Sequence, residues 1–214
     1  MSILSVDTIQ QESGAGFVYC FNPSVVYSPG SVVQVVHSTV QERFYLNVPN
    51  NDGGMRNDFS GLGQPWGGCI IRPLDIAIKP YSIKSAIHIE FNMFYEAHND
   101  IVFTVLRDDA LIGASYGGWG TTLNAQNSAG RWIGAGVSRY DNNNDSTPSY
   151  IQLNWIDSPG STDWHNYSIA AKSSGASNFT MTVNTTISAY QNGQDAYETG
   201  VSFSIAQEIA RASF

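Results

Sequence analysis

At 214 residues the chain is long enough for one sizeable β domain or two small ones, and it can bury a core without disulfide or metal staples. Asp, Glu, Lys and Arg supply only 13% of it, roughly half the share in an ordinary soluble domain, so Ser, Thr, Asn, Gln and Gly must cover the surface. The formal net charge of −8 excludes the basic stripe that a nucleic-acid binder needs, and no run approaches the roughly 20 apolar residues of a membrane-spanning helix.

Residues 1–30 hold one short alternating segment, Ile3-Leu4-Ser5-Val6-Asp7-Thr8-Ile9, and then Gly14, Gly16, Pro23, Pro29 and Gly30. That is too little apolar surface to fold alone, so the segment reads as an arm ordered by pairing with something else. Its start, MSILSVDTIQQ, has neither a basic stretch nor a long apolar one, and no Sec export is expected. The rest, 31–214, reads as a single domain.

From residue 32 onward the apolar period is close to two, which places the apolar side chains of each segment on one side of a pleated strand. The predicted core faces are Val33 and Val35, then Leu74, Ile76 and Ile78, then Ile87, Ile89, Phe91, Met93 and Tyr95. They continue with Ile101, Phe103 and Val105; Ile151, Leu153 and Trp155; Tyr167, Ile169 and Ala171; Phe179, Met181 and Val183; and Val201, Phe203 and Ile205. Reversals are expected at Asp52-Gly53-Gly54, Asp108-Asp109, Ser158-Pro159-Gly160, Ser174-Gly175 and Asn192-Gly193, where Gly and Asn accept positive φ and Pro presets it. No segment reads as a helix. Many short strands with polar, Gly-rich turns predict an all-β fold, an antiparallel sandwich or jelly roll.

Residues 49–68 and 113–130 break this rhythm and read as long surface loops that carry aromatic residues outward. Trp66, Trp119, Trp132, Tyr140 and Tyr150 lie in or beside the irregular stretches and are the expected glycan contacts. A sugar ring can stack its C–H face on such a ring while neighbouring amides take its hydroxyls. The competing expectation is burial in the core or between subunits, because large aromatics are enriched in both.

Several ordered segments resemble the tail-associated and fibre-like structural proteins of marine and cyanobacterial bacteriophages. They are SILSVDTIQ in the arm, GSVVQVV at 30–36, VLRDDALIG at 105–113, WIDSPGSTDWHNYSIAAKS at 155–173 and FSIAQEIA at 203–210. The resemblance implies a jelly-roll head of the tumour-necrosis-factor or C1q type, a homotrimer, and a position on the virion after assembly in the host cytoplasm. It implies that Ile3, Leu4, Val6 and Ile9 attach the arm to another virion protein of tail, neck or capsid, and that the head reaches a host-surface glycan. No collagen-like or coiled-coil shaft separates arm from head. A short spike, a neck fibre or a capsid-decorating cement protein therefore stands beside the fibre.

Candidates for chemistry each lack a part. Gly113-Ala-Ser115-Tyr-Gly117, followed by Asp141 or Asp157 and then His165, has the residue order of an α/β-hydrolase esterase or depolymerase. The glycines after Ser115 oppose the helix that motif requires. Asp141-Asn-Asn143-Asn-Asp145 alternates oxygen ligands as a calcium loop does, but Ser146 replaces the turn glycine and Gln152 the bidentate glutamate. His37, His88, His98 and His165 share no short metal-ligand spacing. Cys20 and Cys69 read as two reduced, buried thiols. The expectation is binding without catalysis, cofactor or metal, with a free sugar-binding lectin as a further alternative.

Overall fold

The computed structural model describes residues 29–48, 69–98, 101–112, 136–137, 146–173, 179–193 and 198–211. The arm contacts Ile3, Leu4, Val6 and Ile9, the aromatics Trp66, Trp119, Trp132 and Tyr140, Cys20, and Ser115 with Asp141 lie outside the described residues. In chain order the elements are β1 (Val32–Val40), β2 (Phe44–Val48), β3 (Cys69–Ile70), β4 (Ile76–Ile78), β5 (Ala86–Ala97), β6 (Ile101–Arg107), β7 (Ala110–Leu111) and β8 (Gly136–Val137). They are followed by β9 (Ser149–Asp157), β10 (His165–Ser173), β11 (Phe179–Val183), α1 (Ile187–Asn192) and β12 (Ser202–Ile209).

The strands form two antiparallel sheets. In the first, β1, β12, β5, β11 and β2 follow one another and β9 pairs with β5; in the second, β3, β10, β6 and β7 do so, with β4 on β10 and β8 on β6. β5 is the spine of the first sheet. β9 lies along one of its edges from Ile87 to Tyr95, while β12 and then β11 share the other. The all-β sandwich expected from the period-two pattern is what forms.

The core lies between the sheets, and Ile87, Ile89, Phe91, Met93 and Tyr95 on β5 face Ile101, Phe103 and Val105 on β6 and Tyr167, Ile169 and Ala171 on β10. Burying one such Ile or Phe contributes roughly 1.5–3 kcal/mol. Tyr95 meets Phe103 edge to face, with ring centroids 5.5 Å apart. At one end an ionic clasp joins the sheets. Asp157 of β9 accepts from Arg107 Nη1 at 2.6 Å and from the Tyr167 hydroxyl at 2.8 Å, both on the opposite sheet.

Three expectations need correction. Val33 and Val35 do not present a common core face, because a bulge sets Val32 opposite Ile209 and Gln34 opposite Glu208, leaving Val33 as the extra residue. The pleat then turns Val36 and Val40 inward and leaves Val35 55% exposed. On β12 the phase is opposite to the expected one. Ser202, Ser204, Ala206 and Glu208 are buried, whereas Phe203 and Ile205 are half-buried on the outer face and Val201 is exposed. Apolar residues alone did not reveal which face pointed inward, since small and polar residues fill the space opposite β5.

The third correction is α1. Thr186 caps it by accepting from the Ala189 N–H at 3.2 Å, and Gly193 ends it at φ 61°, so Asn192-Gly193 is a helix stop rather than a hairpin turn. Leu74, expected in a strand, lies in a 3₁₀ turn at Arg72–Leu74 and is nevertheless fully buried.

Buried acidic protons make stability fall at high pH. Burial, then the Asp157 partnership, raises the Tyr167 phenol well above its ordinary 10.0, and burial pushes the Cys69 thiol from 9.0 up to about 12. Each group holds its proton more tightly folded than unfolded, so its contribution is present below the unfolded value and lost as pH rises. Urea midpoints should fall between pH 9 and 12, with a slope approaching about 1.4 kcal/mol per pH unit for each group in its window. Tyr167→Phe should flatten the part above pH 10. A pH-independent midpoint across that range would contradict the assignment.

Candidate self-association face

The outer surfaces of the two sheets differ. On the second sheet Val102, Leu106 and Ala170 form their own buried cluster with Ile70 against it, and Ser168 and Lys172 beside them are buried too. On the first sheet the outer face of β1, β12, β5 and β9 is open along much of its width. Antiparallel sheets that face water normally alternate apolar inside with polar outside. On this one the outer face mixes polar residues with exposed large apolar ones.

Register places the outward residues. β1 contributes Val32, Val35, His37 and Thr39, opposite Ile209, Gln207, Ile205 and Phe203 of β12. β5 contributes His88, Glu90, Asn92 and Phe94, opposite Ile156, Asn154, Gln152 and Tyr150 of β9. Val32, Val35, Tyr150 and Ile156 are each more than half exposed, the highest being Ile156 at 60%. Among these positions there is no Lys or Arg, and Glu90 is the one carboxylate.

The polar groups on this face are already paired with one another. Glu90 Oε1 accepts from Asn92 Nδ2 at 2.5 Å and from Gln152 Nε2 at 2.9 Å, and the Tyr150 hydroxyl donates to Asn92 Oδ1 at 2.9 Å. His88 spans the strands, with Nδ1 3.2 Å from Gln207 Oε1 and Nε2 3.2 Å from Asn154 Oδ1. The ring of His37 lies 6.0 Å from that of Phe203. Burial, and secondarily the Glu90 charge, raises the Tyr150 phenol above its usual value. Covering polar groups that already have partners costs far less than covering orphaned ones.

Two buried carboxylates hold the ends of this sheet. Glu208 accepts from Gln34 Nε2 at 2.7 Å, the Tyr81 N–H at 2.9 Å and Ser85 Oγ at 2.5 Å, tying the 81–85 turn to the last strand. Glu96 accepts from the Thr147 N–H at 2.7 Å and from the Ile187 N–H at 2.5 Å, where a carboxylate favours the start of α1. Both rigidify the open face from its rims.

Tyr150 is the one expected glycan contact among the described residues, and it belongs to this face rather than to a loop. His165 lies apart, at the β4–β10 edge of the second sheet. Asp157, an expected partner for it, is committed to Arg107 and Tyr167. His165 instead has Asp108 and Ser161 as partners. Ser146 donates to Glu198 and Gln152 to Glu90, and the Asp141–Asp145 stretch read as a calcium loop lies outside the described residues. Among the described residues no group of three or more His, Cys, Asp or Glu converges to hold a metal.

The sequence reading missed the outward apolar residues of β12. Phe203-Ser-Ile205-Ala-Gln207 alternates apolar with small, and two sheet faces of different character can both satisfy such a pattern. No protein-family model matches the chain, and no curated protein matches it.

Proposed function

We propose that the protein is a homotrimeric structural component of a bacteriophage virion, the head of a fibre or spike that residues 1–30 mount on the particle. The head touches the host surface, and no chemistry is needed for that task. Three copies give multivalent attachment, so weak single contacts hold together. The observation that carries this reading is the outer face of β1, β12, β5 and β9, which exposes large apolar side chains among paired polar ones and presents no Lys or Arg, and the occupant proposed for it is a second and third copy of the same chain.

The charge pattern supports self-association. Residues at a threefold axis meet their own copies, so a charge there faces like charge; this face offers one carboxylate, Glu90, held by two amide donors, and no Lys or Arg, and so brings little such repulsion. Strand order supports the jelly roll that the segment resemblance implies. With β2 and β11 extending the first sheet and β3 and β8 the second, the remaining strands run from β1 across to β4, back to β5, across to β6 and β7, back to β9, across to β10 and back to β12, with β1-β12-β5-β9 facing β4-β10-β6-β7.

A cement protein on the capsid lattice is the second reading, and the same trimer serves it. Sedimentation equilibrium of the full chain should return three times the protomer mass. Cryo-electron microscopy of the virion should then place the density at tail, neck or capsid. A protomer mass at micromolar concentration contradicts the trimer, and virions without the protein contradict the structural role.

A further inference from the structure

The Asp108, His165 and Ser161 side chains form a connected chain of hydrogen bonds at one end of the second sheet. Ser161 Oγ is 2.9 Å from His165 Nε2, and His165 Nδ1 is 2.8 Å from Asp108 Oδ2. The order hydroxyl, imidazole, carboxylate is that of a nucleophile, the base that takes its proton, and the group that holds the base. His165 is 7% exposed, whereas Ser161 is only partly buried and can be reached from solvent.

The supports of Asp108 are rigid. It opens the reversal between β6 and β7, where Asp108 and Asp109 both adopt positive φ, 52° and 63°. Its N–H donates to the Asn166 carbonyl at 2.8 Å, and the Asn166 N–H returns to Asp108 Oδ1 at 2.8 Å, leaving Oδ2 for the imidazole. Arg72 grips Asp109 through two bonds of 2.7 and 2.9 Å and so clamps the same reversal. Ser161 follows Gly160, whose φ of 70° turns the chain, and accepts from the Asp163 N–H at 3.3 Å. Trp164, next to His165 in the chain, is 67% exposed and offers a flat apolar surface three residues from Ser161.

We propose that Ser161, His165 and Asp108 form an acyl-transfer centre that hydrolyses esters, with Ser161 as nucleophile, His165 as general base and acid, and Asp108 as the positioning residue. The substrate class is an O-acylated carbohydrate, whose ring can stack on Trp164 while its acyl group meets Ser161. Ser161 Oγ forms a bond to the acyl carbonyl carbon as its proton passes to His165 Nε2. The carbon–oxygen bond to the sugar breaks, and the sugar oxygen takes that proton from His165. Water then adds to the acyl-serine, giving a proton to His165, and the acid departs as Ser161 Oγ regains it. This goes beyond the virion reading and does not depend on it.

The test uses the full chain and a fluorophosphonate probe, with the modified peptide located by mass spectrometry. A missing oxyanion donor costs about 10²–10³ in rate, so covalent labelling is a more sensitive readout than turnover. Ser161 should be labelled. Ser161→Ala should abolish labelling with an unchanged circular-dichroism spectrum, and Asp108→Asn should slow it at least about a hundredfold and displace its pH–rate profile, because the wrong imidazole tautomer is then held. p-Nitrophenyl acetate hydrolysis should fall in parallel. Absence of labelling in the folded wild-type chain overturns the proposal, as does labelling of Ser161 that Asp108→Asn leaves unchanged. Oligomeric mass is read separately, so a labelled monomer would sink the trimer and leave this centre standing, and an unlabelled trimer would do the reverse.

Discussion

Ile205→Glu should convert the proposed trimer to monomers without unfolding them. Ile205 is on the outer face of β12, between His37 of β1 and Glu90 of β5, and its side chain contributes nothing to the buried face of that strand. In the assembly each copy would bring one unpaired carboxylate into a covered site already holding Glu90. An uncompensated buried charge costs about 3–5 kcal/mol, which is on the order of a thousandfold in affinity for each contact. Sedimentation velocity should show the protomer alone at micromolar concentration, with the far-ultraviolet spectrum of wild type. Ala77→Glu, an exposed position on β4 of the other sheet, should remain trimeric. If Ile205→Glu still sediments as a trimer, copies do not meet through this face.

Asn184→Ala should be the most damaging single substitution outside the apolar core. Asn184 stands where the free edge of β5 passes from β12 to β11, fully buried and at φ 61°. Its N–H donates to Phe94 O at 3.0 Å, and its Nδ2 donates to Val40 O at 2.8 Å and Glu42 O at 2.9 Å across the β1–β2 corner. Its Oδ1 accepts from Ser202 Oγ at 2.6 Å, and its carbonyl accepts from the Gly200 N–H at 3.4 Å. The side chain therefore ties β1 to β12, while the backbone of the same residue, just after β11, is bonded to β5. A Cβ on Gly200 would lie 2.3 Å from Phe94 Cγ, so the neighbouring chain has no room to shift and refill the space.

Alanine removes the acceptor of the buried Ser202 hydroxyl proton, at about 1–3 kcal/mol, and the donor to two part-buried carbonyls, and must adopt a backbone region disfavoured by about 1–2 kcal/mol. The expected loss is about 3–5 kcal/mol in urea unfolding. Asn184→Gly should recover roughly 1 kcal/mol of it, because glycine accepts positive φ and only the hydrogen bonds are missing. A loss under about 1 kcal/mol for Asn184→Ala would remove this residue from its structural role.

The period-two pattern was sufficient for the fold class and for the spine strand, since alternation over nine residues from Ile87 to Tyr95 admits no other geometry. The Asp108-Asp109 reversal was equally readable, because local turn chemistry needs no distant partner. The low charge pointed toward a covered surface without locating it. Which face of β12 turns outward depended on its pairing with β5 from far along the chain, and the phase of β1 on a bulge at Val33. Nothing local singled out Asn184, whose bonds to β1, β5 and β12 exist only once those strands meet. Likewise Asp108 reaches His165, 57 residues on, because β10 pairs with β6, whereas Ser161 is a near neighbour of His165 along the chain.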